Sequence, residues 1–276
     1  FLDKNNIGLG ISRSIETGRG WEHAIATKYL LTHHSVSLKE VNYLLPVWLY
    51  GTPNRVDLFE DDLFSDLPSR HTNFANSFLA ALKTALDLRS IDWKPESSAA
   101  KLNAESIFGY IYAILYSPNY RTRYAEFLKI DFPRLPLTHS LPLFQALAKL
   151  GGELVSLHLL ESPKLNHFIT EYQGKGDDSL PKKPVYKDGA VWINASQRFE
   201  KVPEAVWNFH IGGYQVCEKW LKDRKSRRLS AEDVAHYQKI VVALHETLRL
   251  MAEIDTTIAQ HGGWPGAFQT QQEQAL

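Results

Sequence analysis

One cysteine, Cys217, stands in a chain of 276 residues. A disulfide within the chain is thereby excluded, and so is a cysteine-rich zinc site. There is no excess of charge of either sign, since 31 Lys and Arg balance 31 Asp and Glu. That balance excludes a protein that coats nucleic acid by bulk charge; any polyanion site must come from local sorting. No apolar run approaches the roughly 18 residues needed to cross a bilayer. The first residues, FLDKNNIGLGIS, lack the basic, apolar and small-residue order of a signal peptide. They also open without Met, and read as a piece of a longer, cytoplasmic polypeptide with no membrane partner.

Signatures of catalysis are missing too. There is no GxxxxGK[ST] loop, and Gly8-Leu9-Gly10 lacks the third glycine and following helix of a dinucleotide site. His33-His34 and His210 have no metal spacing, and HETLRLMAE (His245–Glu253) lacks the second His of HExxH. Glu60-Asp61-Asp62 has no downstream Glu-x-Lys and reads as a loop of solvated carboxylates. Ser117-Pro118-Asn119-Tyr120 resembles a nucleotide-flipping loop only in its Pro and Tyr, and reads as a helix stop. Nothing marks the chain as an enzyme by itself, and no cofactor or metal is expected in it.

What is present begins with strands. NIGLGISRS (Asn6–Ser14), HAIATKYLL (His23–Leu31) and VNYLLPVWLYG (Val41–Gly51) are apolar or alternating runs between polar clusters. The last is continuous enough to predict a buried strand. A polar loop spans Thr52–Pro68, and Ser69 then caps a predicted helix to about Leu88. Further helices are predicted over ESIFGYIYAILYS from Asn103 or Ala104, over NYRTRYAEFLK, and over Ser140–Glu161, where Gly151-Gly152 weakens or breaks the run. Pro133 and Pro136 predict an extended segment. In Val185–Asn194, Asp188-Gly189 suits a type I′ hairpin turn. A helix from about Tyr214 to Asp223 follows, and Ser230 caps a last one to about Ile258.

Together these predict an α+β fold: a small, mostly antiparallel sheet from the first fifty residues and 185–208, and a helical bundle from 70–160 and 214–258. Two subdomains forming a cleft are expected, residues 1–162 and 163–260, with 261–276 a loose tail.

Two segments sort basic residues beside aromatics. Ser117–Pro136 carries Arg121, Arg123, Lys129 and Arg134 among Tyr120, Tyr124 and Phe127. AVWNFHIGGYQVCEKWLKDRKSRRLS (Ala205–Ser230) carries Tyr214, Gln215, Lys222, Arg224, Lys225, Arg227 and Arg228. Arg offers forked donors that suit phosphates and guanine edges, and Lys a mobile point charge. Trp207, Phe209 and Trp220 are expected to pack the interior, Gly212-Gly213 to turn the chain sharply, and Tyr214, Gln215 and the basic run to be carried, exposed, on or just after a helix whose end faces DNA. These residues are the candidate DNA-binding set.

ESIFGYIYAILYSPNYRTRYAEFLKIDFPRLPL and VWNFHIGGYQVCEKWLKDRKSRRLSAEDVAHYQKIVVALHETLRLMAEID resemble the C-terminal specificity domain of type ISP restriction–modification enzymes and related N6-adenine DNA methyltransferases. The order of parts is also similar to target-recognition domains of DNA methylases and type I specificity subunits. The resemblance runs from about Asn6 to Ile258. It implies sequence-specific recognition of double-stranded DNA on behalf of catalytic domains of the same longer chain, with S-adenosylmethionine bound by those domains. Two other readings remain open: a protein-interaction module that docks a partner or those domains, and a small-molecule enzyme using His210 or Glu60–Asp62.

Overall fold

A computed structural model of the chain describes residues 6–15, 20–32, 35–36, 39–50, 70–88 and 102–269. His33-His34, the Thr52–Pro68 loop and the Glu60–Asp62 acids lie outside them. The α+β class holds, but the strands form separate antiparallel sheets rather than one. β1 (Gly8–Ser12), β2 (Ala24–Thr27) and β3 (Asn42–Pro46) form one in the order β2-β1-β3. β4 (Trp48–Tyr50) pairs with β5 (Arg70–Thr72). β6 (Glu171–Gln173), β7 (Val185–Lys187), β8 (Ala190–Trp192) and β9 (Arg198–Glu200) make another, ordered β6-β9-β8-β7. β10 (His210–Ile211) and β11 (Tyr214–Gln215) form a hairpin.

Several expectations are corrected. The run at Val41–Gly51 is no fully buried strand: it breaks between Pro46 and Trp48, and Tyr43 and Leu45 are exposed on the outer face of β3. The helix predicted from Ser69, a residue outside the described ones, starts later as α1 (Asn76–Ala85), because Arg70–Thr72 is drawn into pairing with β4. Glu204–Trp207, placed in the predicted sheet region, is a short helix instead. At Asp188 and Gly189 φ is +52° and +75°, as the predicted hairpin turn requires.

The helical frame is α2 (Ala104–Tyr116), α3 (Pro118–Arg123), α4 (Ala125–Ile130), α5 (Leu141–His158), α6 (Glu204–Trp207), α7 (Val216–Lys222) and α8 (Ala231–Gln260). The Asn103 side chain accepts from Ser106 N–H at 2.7 Å while the Ser106 hydroxyl accepts from Asn103 N–H at 3.0 Å, fixing the start of α2. α2 is buried almost all round and packs on α5. α5 is not broken at its glycines. A Cβ on Gly151 would lie 1.8 Å from the Gly109 carbonyl oxygen, and one on Gly109 would lie 2.4 Å from that of Ala148. The helices therefore meet backbone to backbone, whereas Gly152 faces open space.

Burying the phenols of α2 obliges each hydroxyl to find a partner. Tyr116 donates to the Ala24 carbonyl at 2.9 Å, and Tyr112 accepts from Ala26 N–H at 3.0 Å, so α2 stands where β2 lacks a neighbouring strand. Tyr112 also donates to His158 Nδ1 at 2.6 Å. The other ring nitrogen, Nε2, donates to Thr247 Oγ1 at 2.9 Å, because that hydroxyl gives its own proton to Ala243 O at 2.7 Å. The network thus fixes one neutral tautomer of His158 and links β2, α2, α5 and α8. Burial, with Arg121 nearby, lowers the imidazole pKa to about 3.

α8 packs against α2, α5, α6 and α7, so one helix runs along both halves of the chain. The segment after it, expected to be loose, is packed as far as 269: the Trp264 ring lies 5.8 Å from Tyr120 and 4.2 Å from Phe268.

Two outcomes follow from this frame. Gly151→Ala should destabilise the chain strongly in a thermal melt while Gly152→Ala leaves it stable, since only the first forces α2 and α5 apart. The depressed His158 pKa makes its contribution full above the unfolded value of 6.5 and progressively lost as pH falls toward 3. Unfolding free energy should therefore drop by up to about 1.4 kcal/mol per pH unit from this group across that window. His158→Gln should be less stable at pH 7 yet show a shallower acid dependence, measured by denaturant titration from pH 7 to 4.5.

Candidate nucleic-acid interface

α3 begins where α2 ends. The Ser117 hydroxyl accepts from Tyr120 N–H at 3.0 Å and donates to Asp255 of α8 at 2.5 Å, while Asn119 N–H donates to the other oxygen of Asp255 at 3.0 Å. Ser117-Pro118 is thus both the stop of α2 and the cap of α3. Beyond α4 the chain extends through Asp131–Pro136 as a strap held from beneath. Tyr120 donates to the Arg134 carbonyl at 2.8 Å and Tyr110 to that of Pro136 at 2.6 Å. Arg13 grips Asp131 at 2.9 Å, and Ile15 N–H donates to the Lys129 carbonyl at 3.0 Å.

The four basic residues of this segment part company. Arg123 and Arg134 are exposed, and the Arg123 guanidinium stands 5.9 Å from the Tyr124 ring. Lys129 is half-exposed and paired with Glu126 at 2.6 Å. Arg121 turns inward: its Nε donates to Leu115 O at 2.7 Å, and its guanidinium stacks 4.7 Å from the Tyr116 ring centroid. Its spacing beside Arg123 gives no sign of this, because α3 is only six residues long and its inner side faces α2.

The second segment is tied to the N-terminal region by its glycines. Gly212 has φ +54°, a Cβ there would lie 2.2 Å from Val36 O, and its N–H donates to Glu22 O at 2.8 Å. The predicted helix is preceded by the β10–β11 hairpin, so Tyr214 and Gln215 lie on a strand. Gln215 donates to Trp207 O at 2.5 Å and Lys219 sits 5.3 Å over the Tyr214 ring. Trp207 and Phe209 are buried, and Trp220 is half-buried between His236 and Tyr237.

The basic run is not uniformly solvated. Arg227 binds Asp233 through both oxygens, at 2.7 and 2.9 Å, and Arg224 Nε reaches the same carboxylate at 3.0 Å. The Arg224 guanidinium also lies 3.4 Å from the Trp220 ring centroid. Asp233 in turn accepts from Ser230 N–H at 3.0 Å as the third residue of α8, and Arg227 leads the partners that hold its carboxyl well below the usual range. Leu180 N–H donates to Arg227 O, Ser226 N–H to Leu180 O and Leu229 N–H to Asp178 O, at 3.2, 2.8 and 2.8 Å. Arg228 is 75% exposed with Asp177 at 3.7 Å, and Lys222 and Lys225 are exposed. Arg224 and Arg227 are therefore a clamp on the start of α8. Their carboxylate partner is in the sequence, as the first-turn acid of the predicted capping box, but its second role there has no local signal.

Among the described residues no three His, Cys, Asp or Glu could hold a metal. His210, half-buried on β10, has its Nδ1 hydrogen-bonded to Asn208 O at 2.6 Å. Clefts lie beside the strap, about 550 Å³ and lined from Tyr120 to Pro136, and beside the β7–β8 turn, about 430 Å³.

The clamp has a consequence for stability. Asp233→Ala should cost more than the ~1 kcal/mol typical of a lost helix cap, because it releases two arginines as well. Arg224→Ala and Arg227→Ala should each lower the melting temperature, and Lys222→Ala and Lys225→Ala should not.

Nothing among the curated proteins matches the sequence. Among solved structures the chain is similar to the ATP-dependent type ISP restriction–modification enzyme LlaBIII bound to DNA, at 17% identity and a TM-score of 0.60 over 90% of this chain. It is similar to a nuclease-deletion mutant of the type ISP enzyme LlaGI in complex with a DNA substrate mimic, at 19% identity and 0.61 over 92%. A DrdV–DNA complex matches at 21% and 0.67 over 90%. Likeness at such identity is one of fold, and this chain spans only 16%, 22% and 24% of those longer chains. Residues 1–253 match the family of the type ISP C-terminal specificity domain, and the chain belongs to that family.

Proposed function

We propose that this domain reads a duplex DNA target for a longer restriction–modification polypeptide and takes no part in the chemistry itself. The observation that carries this is the specificity-domain match across residues 1–253. The DNA bound in the similar LlaBIII, LlaGI and DrdV structures supports it. Methyl transfer from S-adenosylmethionine, and any cleavage, belong in this reading to other domains of the same polypeptide, acting on DNA in the cytoplasm. No helix among the described residues is long and apolar enough to cross a membrane.

Phosphate contacts give such a domain its affinity and register, while contacts to base edges give it sequence. Exposed Arg123, Arg134, Lys222, Lys225 and Arg228 are the candidate cations for the first role. Lys129 is a weaker candidate because it is shared with Glu126, and Tyr214 and Gln215 are engaged within the fold. Arg121, Arg224 and Arg227 are better read as parts of the frame.

Fluorescence anisotropy with a labelled mixed-sequence 30-base-pair duplex tests the proposal. Affinity should fall steeply between about 50 and 200 mM salt, with a slope near −0.9 per neutralised phosphate. Salt-independent binding, or none, would reject it. Methyl transfer to DNA by the chain alone, followed with radiolabelled S-adenosylmethionine, would reject the non-catalytic assignment.

A further inference from the structure

The outer side of α4 and the strap exposes more apolar surface than a solvated face needs. Phe127 is 70% exposed, Ile130 72% and Phe132 37%, and Tyr43 of β3 meets Phe132 edge-on at 5.0 Å. Single exposed apolar residues are ordinary, whereas a contiguous ridge beside a 550 Å³ groove marks a contact surface. Faulty packing of α4 is not the cause, for Leu128 on the same helix is 1% exposed and sits in the core.

The ridge is also stiff. Its main chain is pinned at Lys129, Arg134 and Pro136 by the backbone of Ile15 and the hydroxyls of Tyr120 and Tyr110, and its Asp131 by Arg13. A surface ordered before binding loses little entropy on contact.

Charge at its margins selects the occupant. Glu126 is engaged by Lys129 and Asp131 by Arg13, while among the described residues no carboxylate lies within ion-pair distance of Arg123 or Arg134. Both acids beside the ridge are thus engaged at short range, whereas Arg123 and Arg134 carry no short-range ion pair and Arg134 feels Asp131 only at a distance, which leaves the margin complementary to a polyanion.

We propose that Phe127, Ile130 and Phe132 form an apolar wedge that bears on the bases of duplex DNA, with Arg123 and Arg134 anchoring phosphates on either side. It rests on the DNA-reading function and assigns that function a face. Apolar side chains contact thymine methyl groups or enter between base steps, and both contacts depend on sequence.

The test begins by enriching a randomised 30-base-pair duplex pool on the wild-type chain, then measuring the enriched duplex across salt concentrations. Phe127→Ala with Ile130→Ala should weaken binding about tenfold, the scale of one lost base contact, with an unchanged salt slope. Arg123→Ala with Arg134→Ala should instead flatten the slope by about two units. Melting temperatures of both variants should match wild type, because the altered side chains are exposed; a lowered melt for the ridge variant would make the ridge structural and overturn the wedge. Wild-type binding by the ridge variant, or an unchanged slope in the arginine variant, overturns it while leaving DNA reading intact. Salt-dependent binding without enrichment of any sequence overturns the wedge and sequence reading together, leaving only phosphate binding. A wild-type chain that binds no duplex overturns both.

Discussion

The phenol groups of one buried helix set the relations among the parts around it. α2 is almost wholly enclosed, and a tyrosine hydroxyl enclosed without a partner costs far more than the bond it would form. Tyr110 reaches the strap, Tyr112 reaches α5 and β2, and Tyr116 reaches the edge of β2. Each is satisfied only if that neighbour is in place, so three separate chain segments are positioned by the helix they enclose. The glycine contact between α2 and α5 serves the same end, since it brings His158 within reach of Tyr112.

Charge clusters, one long-range and one local, complete the frame at its edges. Asp255 fastens the start of α3 to α8, and Asp233 gathers Arg224 and Arg227 at the start of α8. Both carboxylates also satisfy backbone N–H groups, which makes them more than surface ion pairs. The charged residues that hold this fold together and those offered to a polyanion are interleaved along the chain, and alternate in role within a few positions.

That interleaving decides what was legible in the sequence. Periodicity and capping chemistry located α2, α5 and α8, and Asp188-Gly189 located its hairpin, because those signals are local. The pairing of Arg70–Thr72 with β4 was hidden, since it depends on a partner strand some twenty residues earlier. The outward face of β3 was misjudged because apolar residues there are spent on an exposed surface rather than on the core. In the candidate site, a count of basic residues marks both segments as places where charge and aromatics meet. It does not distinguish Arg123 from Arg121, or Lys222 from Arg224, for those differences are set by how each side chain turns back onto Leu115, Trp220 or Asp233 a few residues away, which a count of charges does not register.

The strap is held by its carbonyl oxygens. Tyr110 and Tyr120 bond to the main chain of Pro136 and Arg134, and Ile15 to that of Lys129, so these anchors are indifferent to the side chains at Lys129 and Arg134. At those positions, and at exposed Phe127 and Ile130, residue identity is uncoupled from the placement of the backbone. The outer surface therefore has the character of an interchangeable set of type in a fixed frame: a lineage could alter what the ridge touches, one residue at a time, without rebuilding what carries it.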